Sequence, residues 1–139
     1  MSAAFARSVG GRLAHVTATP NVPSIMAHGL LSAEGLAQRA GVDPATLPLR
    51  IDRRRVGGAT LNHQLPIVHG LRAARAVLDG HTPQSWAAQL DRRVFLWPQH
   101  KVRKFAASFG RSMDTTILWL DPVALAEVMG DQIALSPLN

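Results

Sequence analysis

The chain of 139 residues has no cysteine and no tyrosine, and only two glutamates, Glu34 and Glu127. Without cysteine there is no disulfide framework, no thiol nucleophile and no Cys-ligated zinc. No apolar run approaches the roughly 18 residues that cross a bilayer. The opening MSAAFARSVGGR lacks the apolar stretch of a secretory signal. These absences lead to the expectation of a cytoplasmic protein with no membrane partner. A metal site is not expected either. There is no H-E-x-x-H, and His63 and His69 are spaced so that they cannot share one helix face. Gly57-Gly58 is not followed by the Lys-Ser/Thr of a phosphate loop and reads as a turn. No G-x-S-x-G elbow is present.

What the chain does have is positive charge. Fifteen Lys and Arg face nine Asp and Glu, for a formal net charge of +6. Thirteen of the fifteen are arginine, the exceptions being Lys101 and Lys104. The guanidinium is a planar fork suited to phosphate and carboxylate. A compositional bias toward Arg and Ala accounts for the same numbers without any ligand. A hydrophobic share of 47% with 17% charged residues describes a foldable globular chain, and the length suits a single domain.

Periodicity and punctuation divide the chain as follows. Residues 3–9 read as a short helix stopped by Gly10-Gly11, and 13–17 as a strand. Residues 24–28 form the body of a short helix with Asn21 as N-cap, Pro23 in its first turn and Gly29 beyond its end. A helix over 33–40 ends at Gly41. Residues 42–66, which hold Arg53-Arg54-Arg55, show no period and read as irregular; such long loops are usually functional or mobile. Helices are expected over 71–78 and from Thr82-Pro83 onward. Residues 93–97 read as a strand ended by Pro98. Residues 99–110 read as an amphipathic helix with Val102, Phe105, Ala106 and Phe109 on one stripe. A buried central strand over 115–120, a helix capped by Asp121-Pro122 and a last strand over 132–135 complete the pattern. Strands and helices mix without strict alternation, which predicts an α+β fold in a single compact domain, residues 1–139.

The chemistry concentrates near the start. A strand carrying His15 and Thr17 at i and i+2 presents both on one face. The helix that follows offers backbone N–H groups to an anion. Together they describe a small polar pocket for a ribose or a phosphate. The same residues also fit a plain strand-to-helix corner in which the hydroxyl and the imidazole bond locally.

The order of motifs is similar to a known pattern. His15-Val16-Thr17, then Asn21-Val22-Pro23-Ser24-Ile25, then His28-Gly29-Leu30-Leu31-Ser32, resemble the opening of DarT-type ADP-ribosyltransferases and of a bacterial domain family related to them. Thr82-Pro83-Gln84-Ser85-Trp86, Arg92 to Trp97, and Ile117 to Asp121 resemble the family's later elements. The resemblance runs from Leu13 onward. It implies an ADP-ribosyltransferase-like split β-sheet with flanking helices, NAD as the substrate, and nucleic acid as an acceptor class. It also implies that His15 and Thr17 seat the adenosine side of NAD. Gln64 matches one position of the family's Arg-Asp-Gln element, and Arg53 or Arg54 takes the place of an active-site arginine. The glutamate that transferases carry near their last strands has no counterpart, since Glu34 falls on an early helix and Glu127 on the helix between the last two strands. The family pattern is expected to run on past Asn139, so the domain is read as C-terminally incomplete and its status as an enzyme as open. The alternative is a non-enzymatic binding module on the same fold, in which Arg53, Arg54 and Arg55 with Lys101, Arg103 and Lys104 form a basic surface for nucleic acid or a protein partner.

Overall fold

A computed structural model describes residues 2–69, 79–109 and 113–136. The fold is α+β, as the sequence predicts. The expected helix over 71–78 lies outside the described residues. The chain forms two compact units, one joining the segment up to Thr19 with the segment from Phe95 onward, the other spanning Pro20–Val94.

In the first unit, α1 (Ser2–Ser8) leads into β1 (Leu13–Ala18). β1 is the middle strand of a three-stranded antiparallel sheet, between β4 (Trp97–Pro98) and β5 (Thr115–Leu120). Its register with β5 is full length, from Leu13 opposite Leu120 to Ala18 opposite Thr115. One face of β1, carrying Ala14 and Val16, packs on Val102, Phe105, Ala106 and Phe109 of the α6 segment (helix Val102–Ala107) and on Ile117. Those four residues are the stripe that the sequence predicts. Asp121 caps α7 (Pro122–Met129), its carboxylate accepting from the Val123 N–H at 2.8 Å.

Three expectations are corrected in this unit. The strand over 93–97 shrinks to Trp97–Pro98, which pairs with Ala14 and Leu13. The Phe95 carbonyl, which a longer strand would offer to its neighbour, is taken by a side chain, as described below. The strand over 115–120 has the predicted extent but lies at the edge of the described sheet, because β1 holds the centre. Residues 132–135 form no strand. A 3₁₀ turn, Gly130–Gln132, closes with Ile133 N–H donating to Gly130. Leu135 is left 74% exposed, and no strand among the described residues pairs with it.

In the second unit, α2 (Val22–His28) and α3 (Ala33–Ala40) have the predicted places. Ser32 caps α3 and Gly41, at φ 69°, ends it. Residues 42–66 are not irregular throughout. β2 (Arg54–Val56) and β3 (Ala59–Leu61) form an antiparallel hairpin across Gly57-Gly58. Both glycines have positive φ, 55° and 82°, the conformation that a two-residue hairpin turn needs. Val56 and Leu61 join Ala37 and Leu47 in the core of this unit. α4 (Leu65–Val68) follows, and α5 (Pro83–Leu90) begins with a reciprocal capping box between Thr82 and Ser85.

A Cβ at Gly57 would lie 2.9 Å from the Ala40 Cβ, whereas one at Gly58 meets nothing within 4 Å. Gly57→Ala is therefore expected to cost about 2 kcal/mol, from the left-handed backbone plus the contact, and Gly58→Ala about 1 kcal/mol from the backbone alone. Urea unfolding of the two variants checks the ranking.

Candidate functional site

Alternation along β1 puts Leu13, His15 and Thr17 on the face opposite the Ala14–Val16 core, and the register adds Thr116 and Leu118 from β5. His15 Nδ1 lies 3.0 Å from the Phe95 carbonyl oxygen. A carbonyl can only accept, which assigns the proton to Nδ1 and leaves the lone pair on Nε2. Nε2 makes no hydrogen bond among the described residues. Burial pushes the imidazole below its ordinary value, while the bond to Phe95 pulls it back in part. His15 is thus a neutral acceptor at pH 7. Beside it, Thr17 is buried at 7% exposure. Thr19 and Thr116 join their hydroxyls at 2.9 Å, and the Thr19 N–H donates to the Asp114 carbonyl at 2.9 Å. One sheet face therefore carries an imidazole and neighbouring hydroxyls.

The lowered His15 value has a consequence for stability. Below the unfolded value of 6.5 the unfolded chain takes up a proton that folded His15 resists. Stability is complete above that value, declines as pH falls toward the folded value, and is level below it. His15→Phe is expected to flatten the dependence of the urea midpoint on pH between about 7.5 and about 5.5.

The other predicted residues belong to the second unit. Gln64 is buried and its amide is almost fully used. Its Oε1 accepts from Leu49 N–H at 2.6 Å, and its Nε2 donates to Ala87 O at 3.1 Å and to Asp91 Oδ1 at 3.0 Å. The first of these bonds holds Leu49 at φ 64°, a left-handed conformation that costs a branched side chain of the order of 1 kcal/mol. Arg54 donates to the carbonyl and the hydroxyl of Thr46 at 3.0 and 3.1 Å. Arg53 is exposed and makes no hydrogen bond or ion pair among the described residues. Asn21 stands at the N-cap position of α2 but does not cap it. Its amide instead pairs with the Thr60 backbone, accepting from N–H at 2.7 Å and donating to the carbonyl at 2.9 Å.

Sequence reasoning missed the arginine that the fold buries. Arg50 Nη1 reaches both oxygens of Asp91 at 2.9 and 3.0 Å and also the Leu47 carbonyl at 3.2 Å. Burial pushes the Asp91 carboxyl above its ordinary value, and the guanidinium pulls against that rise. One local signal existed. Asp91 stands at the C-terminal end of α5, where a carboxylate opposes the helix dipole and needs a cation of its own. Glu34 is ion-paired to Arg92 at 3.0 Å, and Glu127 is exposed on α7. Of the basic residues read as one surface, Arg53 and Arg55 are exposed in the second unit and Arg103 and Lys104 in the first, while Lys101 is half-buried.

Among the described residues no three His, Asp or Glu side chains gather to hold a metal ion, and no helix is long and apolar enough to cross a membrane. Residues 11–139 match a family of unknown function (DUF7002). No curated protein and no solved structure matches the chain.

Proposed function

The chain belongs to the DUF7002 family, and we propose that it binds NAD or a related nucleotide through the polar face of β1, as an ADP-ribosyltransferase-like domain in the cytoplasm. The observation that carries this reading is His15, with Nδ1 tied to the Phe95 carbonyl and Nε2 a neutral acceptor with no hydrogen-bond partner among the described residues. A ribose hydroxyl is a donor that fits such an acceptor. Thr17 and Thr116 lie on the same face, the Thr116 hydroxyl joined to that of Thr19. Bound NAD would supply the ADP-ribosyl group: the acceptor, nucleic acid among the candidates, would bond to the ribose C1 as the bond to nicotinamide breaks, nicotinamide leaving and the acceptor's proton passing to solvent.

Calorimetric titration with NAD tests the reading. Saturable binding is expected, weakened about tenfold by His15→Ala, the scale of one hydrogen bond. Affinity is also expected to fall as pH drops through the lowered His15 value, because protonation turns the acceptor into a donor. An absence of binding heat, or equal affinity in wild type and His15→Ala, would overturn it.

A further inference from the structure

Trp119 alternates with Leu118 along β5 and so points away from the His15 face. Its indole is 42% exposed, and the Arg12 guanidinium lies 4.1 Å over the ring. Gly11, Arg12, Trp119, Leu120 and Asp121 together line a shallow cavity of about 330 Å³ that is open to solvent. Two charges of opposite sign line this cavity without pairing to each other. The Arg12 guanidinium makes no hydrogen bond or ion pair among the described residues, its backbone carbonyl accepting from Gln99 N–H. Asp121 uses Oδ1 on the Val123 N–H, and its other oxygen makes no hydrogen bond among the described residues.

We propose that this cavity is a binding site for a small zwitterion of the α-amino-acid class, its carboxylate on Arg12 and its ammonium on Asp121. The indole holds the guanidinium carbon over its face, and the N–H groups of the fork are left to meet a carboxylate. The free oxygen of Asp121 takes the ammonium. The uncovered part of the Trp119 ring accommodates an apolar side chain. A phosphate fits less well, since Asp121 would repel it. This site is independent of the nucleotide face on the other side of the sheet.

The test is tryptophan fluorescence of the whole chain titrated with L-leucine, N-acetyl-L-leucine and L-leucine methyl ester. L-leucine is expected to give a saturable change with Kd of about 1 mM or below, and each blocked derivative to bind at least about tenfold more weakly. Arg12→Gln and Asp121→Asn should each lose binding to the same degree. Asn caps a helix as well as Asp, so an unchanged melting temperature in Asp121→Asn separates lost recognition from lost fold. No saturation by L-leucine up to about 10 mM, equal binding of a blocked derivative, or wild-type affinity in either variant would overturn the proposal.

Discussion

Asp91→Ala is expected to destabilise the protein by about 3–5 kcal/mol, because it leaves the Arg50 charge buried without its partner. The two side chains are 6% and 12% exposed and their closest approach is 2.9 Å. The same carboxylate accepts a hydrogen bond from Gln64 Nε2–H. Gln64 in turn holds Leu49 in its left-handed conformation. Loss of Asp91 therefore reaches the backbone of the loop before β2. Replacing both charges, as Arg50→Met with Asp91→Leu, is expected to cost less than Asp91→Ala alone, since neither charge then has to be desolvated. Burial outweighs Arg50 in setting the Asp91 value, consistent with that ranking. The raised value also gives a sign. The contribution of this group is full below 3.8 and is lost as pH rises through the folded value. Urea unfolding at neutral pH measures all three proteins, and a loss under about 1 kcal/mol in Asp91→Ala would contradict the account.

Leu47→Ala is expected to cost about 2–5 kcal/mol. Leu47 is fully buried and packs with Ala37, Val56 and Leu61, with Ala33, Leu36 and Val42 around them. The cluster joins α3 to the hairpin, so the cavity would be enclosed by a helix and a tight turn that cannot easily close on it. The Leu47 carbonyl that Arg50 uses is retained in the variant, which isolates the packing loss. Leu47→Met nearly conserves volume and is expected to cost under about 1.5 kcal/mol. Equal midpoints for the two variants in urea would mean that this cluster is not the core of its unit.

These two sites fall where the sequence was least legible. The signals that read correctly are local. Thr82-Pro83 and Asp121-Pro122 begin helices, Gly41 ends one, and the Val102–Phe109 stripe faces a core. β1 and β5 are long enough for β-branched content to show. The hairpin is not, because strands of three residues carry no period and β2 includes two arginines. Gly57-Gly58 reads as a turn, yet nothing beside it announces the strands. Arg50 and Asp91 are joined only by the fold, across 41 residues. Asn21 looks like a cap because caps are common for asparagine, but Thr60 offers it two backbone bonds at once. At the candidate site, the shared face of His15 and Thr17 follows from strand alternation alone. The tautomer of His15 does not, because it depends on a carbonyl 80 positions away.

That tautomer is the centre of the functional account, and nitrogen NMR of histidine-labelled protein reads it directly. In the free protein the His15 Nδ1 signal is expected to be that of a protonated ring nitrogen and Nε2 that of a bare one, near neutral pH. Saturation with NAD should shift the Nε2 signal toward that of a hydrogen-bonded acceptor and leave Nδ1 in place. A proton on Nε2 in the free protein, or an Nε2 signal unmoved by NAD, would contradict the assignment of this face to a nucleotide.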